Sequence, residues 1–164
     1  MNLYERNFIK AINTKAMGSV SYSMYICYYT LRDLKDLDIK MRHLLCEKRT
    51  RGLEESSERL YMSKSLNGRG LISFEMMYKM SKLLIAIYLC LTNDNMLKEV
   101  FKRERRKATW KNPLREAEIA VEEVGHSLSL LEGEVVLDGK RMGGNPKYLN
   151  LGHAQLMVLC NKLW

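Results

Sequence analysis

The sequence predicts a mainly α protein, an irregular helical bundle with one small β-hairpin near residues 132–142. Three observations carry this. Helix breakers are scarce and unbranched apolar residues plentiful, with 2 Pro, 10 Gly and 11 Met in 164 residues; such side chains lose little rotamer freedom in a helix. Apolar residues recur at spacings of three and four along much of the chain, which is the period of a helical face. Asp138-Gly139, inside a weakly alternating stretch, is a two-residue hairpin signal.

Element by element, Leu3, Tyr4, Phe8, Ile9, Ile12 and Ala16 define one face of a helix over 3–17, and Gly18-Ser19 is expected to break or kink it. Val20 to Tyr29 is rich in Tyr and fits a buried helix or a strand; its period does not decide. Thr30-Leu-Arg-Asp33 is an acidic variant of the capping box and opens a helix striped by Leu34, Leu37, Met41, Leu44 and Leu45. Arg49 to Gly52 reads as a polar exit, Leu53 to Arg59 as a short acidic segment, and Asn67-Gly-Arg-Gly70 as a tight turn. Ser73 suits the cap of a helix with Glu75 in its first turn, running to about Leu91. That helix is apolar on most sides and is expected to be buried. Asn93-Asp94 ends it and caps a helix over Asn95–Lys107. Asn112-Pro113 starts another that reaches about Val124, with Gly125 at its end. Gly143-Gly-Asn-Pro146 reads as a turn and Tyr148–Trp164 as an apolar helix. The expected organisation is a helical bundle over 1–92 and a basic helix with a C-terminal tail over 93–164.

Charge narrows the class of partner. Lys and Arg number 27 against 19 Asp and Glu, a net +8, and a surface with that surplus attracts polyanions, nucleic acid before anionic membrane. The longest apolar run, Leu83 to Leu91, is too short to cross a bilayer. The N-terminal residues carry Glu5 and no secretory apolar core. The four cysteines, Cys27, Cys46, Cys90 and Cys160, form no C-x-x-C and sit in apolar runs, so they are expected to be buried reduced thiols. The expectation is a soluble intracellular protein, with cytoplasm, nucleus and organelle not distinguished.

Catalytic patterns are thin. His43, His126 and His153 stand far apart, and no G-x-S-x-G, P-loop or H-E-x-x-H is present. No cofactor or metal is expected. Asp33, Asp36 and Asp38 lie beside Arg32, Lys35 and Lys40 and read as a solvated helix face with internal ion pairs. The dense feature is cationic: Lys98, Lys102, Arg103, Arg105, Arg106, Lys107 and Lys111 stand against Glu99 and Glu104. Helical spacing brings Lys98, Lys102 and Arg105 near one face and puts Arg106 and Trp110 at successive i+4 steps from Lys102. Cations at that density can neutralise phosphates without reading sequence, and Trp110 can stack on a base or simply pack. A weaker cluster comprises Lys48, Arg49, Arg51, Arg59, Lys64 and Arg69. Within it, Gly68-Arg-Gly70 can present amides to a phosphate or be a sharp turn, and spacing favours the turn.

Several strings resemble the region after the palm of LINE-type (non-LTR) retrotransposon reverse transcriptases. Ile9-Lys-Ala-Ile-Asn-Thr14 is similar to that family's Lys-Ile-x-Ala-Ile-Asn-Thr run, and Leu34-Lys-Asp-Leu-Asp-Ile-Lys-Met-Arg-His-Leu-Leu45 to the helix that follows. Glu58, Arg59, Leu60 and Tyr61, then Gly68, Arg69, Gly70 and Leu71 continuing into Ile-Ser-Phe-Glu75, resemble its E-R-L-Y … G-G-R-G-L-I-S-x-E signature, with Asn67 in place of the first glycine. Leu114-Arg-Glu-Ala117 and Leu137-Asp-Gly-Lys-Arg-Met142 are similar to segments further on. The resemblance covers nearly the whole chain, in order, and departs from the pattern after Met142. It implies a thumb-like and post-thumb helical region that grips a template–primer backbone. The family's catalytic Tyr-x-Asp-Asp is absent, since Asp-Asp occurs nowhere in the chain.

The resulting expectation is a non-catalytic, nucleic-acid-binding helical module derived from a reverse transcriptase, with RNA or an RNA–DNA hybrid as ligand. Phosphate contacts would come from the 98–111 segment, and Arg69 would be a loop contact. Two alternatives stand beside it: a structural subunit recruited into a ribosome or other ribonucleoprotein, with protein partners, and an inert remnant of a retroelement.

Overall fold

A computed structural model describes residues 3–47, 56–62, 64–107 and 111–141. The expected polar exit, Trp110, the turn at 143–146 and the helix at 148–164 lie outside these residues, as do Lys48, Arg49 and Arg51. The fold is mainly α with a small three-stranded antiparallel sheet. Helices α1 (Leu3–Ala11), α2 (Met17–Ile26), α3 (Leu31–Glu47), α4 (Ser57–Tyr61), α5 (Phe74–Leu91), α6 (Asn95–Arg106) and α7 (Pro113–Glu122) precede strands β1 (Leu128–Leu131), β2 (Glu134–Leu137) and β3 (Lys140–Arg141). The chain divides inside α5 into two compact units, Met1–Tyr78 and Lys79–Trp164.

In the first unit the expected break at Gly18 does not occur. Residues Ile12–Ala16 form a π-helical turn that joins α1 directly to α2. The physical reason lies in the apolar spacing. Ile9 and Ile12 are buried, and the next buried residue is Met17, a step of five, after which Met24 follows. A π turn absorbs one extra residue and keeps all four on the same side. Val20 to Tyr29 resolves as helix over its first seven residues. Its serines are accommodated within the helix with their hydroxyls donating backward, Ser21 Oγ to the Gly18 carbonyl at 2.9 Å and Ser23 Oγ to that of Val20 at 2.7 Å. The core of this unit joins Ile9, Ile12, Met17, Met24, Leu34, Leu45, Leu60, Leu71, Phe74 and Tyr78. Tyr29 meets Tyr78 edge-on, ring centroids 6.0 Å apart.

The capping box of α3 is present. The Asp33 N–H donates to Thr30 Oγ1 at 3.2 Å, and the Thr30 N–H donates back to Asp33 Oδ2 at 3.1 Å. The Thr30 hydroxyl, donating to Asp33 Oδ2 at 2.6 Å, and then the Thr30 N–H hold the Asp33 carboxyl below the usual range.

Asp38 corrects the expectation of a solvated acidic face. It is buried at 8% exposure and accepts the first amide of α5, from Phe74, at 3.1 Å; the Tyr61 hydroxyl approaches at 3.4 Å. It thus caps α5 from a different helix, beside Ser73, whose Oγ accepts the Met76 N–H. Burial pushes the Asp38 carboxyl up, against the Phe74 and Glu75 amides and Tyr61. Burial, and then the Asp38 charge, push the Tyr61 hydroxyl up to about 12. A carboxyl whose folded pKa is raised binds its proton more readily folded than unfolded. As pH rises from the unfolded value of 3.8 through the folded one, the unfolded chain ionises first and stability falls; above that window the loss is complete. Asp38→Asn keeps an acceptor for Phe74 and removes this loss. The Tm difference between variant and wild type should therefore shift in the variant's favour between about pH 4 and pH 7. A difference that stays flat would contradict the buried, ionising carboxyl.

The segments around α4 and the 67–71 turn close on each other. The Arg69, Gly70 and Leu71 amides donate to the Arg59, Met62 and Leu60 carbonyls at 3.0, 2.9 and 3.0 Å. Asn13, carried by the π turn, donates from Nδ2 to the Gly70 carbonyl at 2.7 Å and accepts the Ile72 N–H on Oδ1 at 3.2 Å. Asn67 has φ 58, a left-handed conformation that Asn tolerates better than other non-glycine residues.

In the second unit, Leu83, Leu84, Ala86, Leu89 and Cys90 of α5 are buried, as are Phe101 of α6, Leu114, Ala117, Ala120 and Val121 of α7, and Leu130 and Val135 of the sheet. The expected hairpin is present and larger than expected. Leu131 pairs with Glu134 around Glu132-Gly133, and Leu137 with Lys140 around Asp138-Gly139. Asp138 and Gly139 both have positive φ, 48 and 75, as a type I′ turn requires. The expectation of buried cysteines holds for Cys90; Cys27 is exposed and Cys46 partly so. Cys90 Sγ lies 2.6 Å from the Leu131 carbonyl, and the Gly133 N–H donates to the Cys90 carbonyl at 2.9 Å, so the end of α5 holds the first hairpin turn.

Candidate nucleic-acid interface

Helix α6 is positioned by a cap at each end. Asp94 accepts the Met96 N–H at 2.8 Å. At the other end the buried Asn112 side chain serves two helices at once. Its Nδ2 donates to the Glu104 carbonyl of α6 at 2.6 Å and to that of Lys107 at 3.3 Å, while its Oδ1 accepts the Leu114 N–H of α7 at 2.9 Å. Phe101 anchors the inner face. Three arginines in the last turn, Arg103, Arg105 and Arg106, face the carbonyl end of the helix dipole, which favours cations.

Of the cations expected to form the interface, α6 separates two groups. Arg105 Nη1 turns onto Glu118 of α7 at 2.8 Å, Lys107 pairs with Glu104, and Lys102 lies 3.2 Å from Glu99 and 3.6 Å from Glu132 of the hairpin turn. The Glu99 and Glu132 carboxylates hold the Lys102 ammonium above its usual pKa. Lys98, Arg103 and Arg106 make no ion pair among the described residues. Lys102, Arg103 and Arg106 line one shallow open groove with Glu99 and Val100. A neighbouring one is lined by Lys102, Arg105 and Arg106 with Phe101, Leu130, Leu131 and Glu132. The face expected from spacing, Lys98 with Lys102 and Arg105, is therefore rotated: Arg105 belongs to the α7 side and Arg103 to the open side. Lys111 is exposed, four residues beyond Lys107.

Sequence spacing had no means to find Glu118 and Glu132, the acids that meet the basic helix. They lie on α7 and in a hairpin turn, and tertiary structure alone brings them there.

Arg69 belongs to the first unit, the other seven cations to the second. Its side chain is half-buried, and burial lowers its pKa. With the Arg69, Gly70 and Leu71 amides already committed to carbonyls, the Gly-Arg-Gly string is a turn and offers no run of amides to a phosphate. Glu58, Arg59, Leu60 and Tyr61 form α4 itself, with Leu60 buried.

One further polar cluster lies at the hairpin. His126 Nδ1 sits 2.7 Å from Asp138 Oδ2, and the Ser127 N–H donates to Asp138 Oδ1 at 2.9 Å. These contacts hold the Asp138 carboxyl below the usual range, the Ser127 amide first. Ser127 Oγ lies 3.5 Å from the Asp138 carboxylate, so serine and histidine converge on one acid rather than forming a nucleophile–base relay.

Among the described residues, no group of three or more His, Cys, Asp or Glu is placed to hold a metal ion, and no helix is long and apolar enough to cross a membrane. Compared with protein-family models, with curated proteins and with solved structures, the chain finds no match.

Proposed function

We propose that the chain is a non-catalytic nucleic-acid-binding module that grips a phosphate backbone through the open face of α6. The observation that carries this reading is the grouping of Lys102, Arg103 and Arg106 along one shallow groove, with Lys98 one turn earlier and with Lys98, Arg103 and Arg106 outside any described ion pair. Cations not matched by internal acids have most to gain from an external polyanion. RNA or an RNA–DNA hybrid as the ligand, and descent from a reverse-transcriptase thumb, rest on the sequence resemblance. The absence of Asp-Asp from the sequence supports a binding role over polymerisation.

The test is fluorescence anisotropy with a labelled RNA and an RNA–DNA hybrid across a salt series. Three to four backbone contacts predict that log affinity falls against log salt with a slope of about −3. Affinity that does not change with salt would overturn the reading.

A further inference from the structure

Residues 16–31 form the longest stretch of this sequence without Lys, Arg, Asp or Glu, in a chain of net charge +8. Helix α2 takes up most of it. Met17 and Met24 bury completely in the first unit's core, while Tyr22 is 73% and Ile26 70% exposed. Tyr28 and Leu31, just beyond the helix, are exposed at 39% and 48%. Helix α2 carries no charge, and beside its serines it exposes two large apolar side chains four residues apart; exposed apolar surface of this kind marks an interaction site.

Gly18 gives this face a shape. Gly18, Tyr22 and Ile26 lie on one i±4 row, the ridge that packs against neighbouring helices. Gly18 lacks the positive φ that favours glycine, and a Cβ built on it meets nothing within 4 Å. Among the described residues neither backbone nor packing requires glycine there, and glycine inside a helix costs stability. It leaves an open notch on the outer surface, four residues from Tyr22, with Ile26 four residues away on the other side.

We propose that a second copy of this chain docks on this face, the two α2 helices crossing antiparallel on a two-fold axis at Tyr22. Ile26 then enters the notch over the partner's Gly18, and the reverse, while the two Tyr22 rings meet at the axis. One row supplying both knob and notch, evenly spaced about a centre, is what an isologous interface requires. Charge supports the same occupant. No cation lies between Lys15 and Arg32 to attract nucleic acid, and two copies of a +8 chain repel least across a neutral face. The ten-residue helix is about 15 Å long, so the contact is small and the dimer weak and concentration-dependent. This proposal stands independently of the nucleic-acid reading.

Sedimentation equilibrium of the full chain tests it. The wild type should pass from monomer to dimer over roughly 10–100 µM. Tyr22→Glu places two like charges at the axis and should weaken the dimer by more than about tenfold. Gly18→Leu fills the notch and should weaken it similarly, while its thermal midpoint does not fall because the space around that position is open. Circular dichroism checks that each variant is folded. A wild type that stays monomeric across the range overturns the proposal. So does a dimer that either folded variant leaves intact.

Discussion

The Gly68→Ala variant is expected to lose at least about 3 kcal/mol of folding stability. A Cβ at this position falls 2.0 Å from the Met62 carbonyl oxygen and 2.3 Å from its carbon. Those atoms are backbone and cannot rotate aside. That oxygen already accepts the Gly70 amide, so relieving the overlap means separating the 59–62 segment from 69–71. Three cross-segment backbone bonds are at stake, each worth about 1 kcal/mol net, together with part of the burial of Leu60 and Leu71. Such a loss is a large fraction of an ordinary domain's 5–15 kcal/mol. Urea denaturation followed by circular dichroism measures it. Gly70→Ala is the contrast. There φ is +69 and the nearest atoms, at 3.3 Å, belong to the flexible Lys64 side chain, so the cost should be about 1–2 kcal/mol of left-handed strain. If the two variants lost equal stability, positive φ rather than close approach would be the constraint on this turn.

The string from Glu58 to Leu71 was legible in the sequence, but its physical meaning was not. Glycine at 68 marks a close approach and glycine at 70 a positive φ, and the sequence writes both with the same letter. The residue that bolts the turn down, Asn13, lies far away in sequence within a π turn. The signal for that π turn was the step of five between Ile12 and Met17, which spacings of three and four do not anticipate. Local signals served better. Thr30 with Asp33, Ser73, Asp94 and Asn112 with Pro113 mark helix starts through bonds spanning two or three residues, and the structure has each of them. Asp38 shows the limit of local reasoning. Beside Lys35 and Lys40 it reads as solvated, and only the arrival of α5 makes it a buried cap. The first strand was missed for a simpler reason. Glu132-Gly133 also closes a two-residue turn, but only Gly133 has positive φ there, and Glu-Gly is a weaker turn signal than Asp-Gly.

Reversing two charges on α6, Arg103→Glu with Arg106→Glu, is expected to weaken RNA binding about a hundredfold at low salt and to flatten the log–log salt slope by about two. Which cations are already answered by acids sets the size of each effect. Arg105 holds Glu118 at 2.8 Å and Lys107 holds Glu104, so a phosphate reaching either must displace a carboxylate and gains little. Arg105→Ala should leave affinity within about twofold. Lys102 is intermediate, shared between Glu99 and Glu132. Releasing it with Glu132→Gln should strengthen binding by roughly two- to fivefold. Removing a glutamate raises net charge wherever it lies, so it is the dependence of these effects on position that separates this face from general basicity. If net charge alone drove binding, removing one arginine would weaken it whether the residue was Arg103 or Arg105. If the open face drives it, Arg103 and Arg106 matter, Arg105 does not, and loss of a glutamate helps more at Glu132 than at a distant site such as Glu58. Anisotropy titrations of these folded variants against one labelled RNA decide the matter, and equal losses for Arg103→Ala and Arg105→Ala would remove α6's open face as the site.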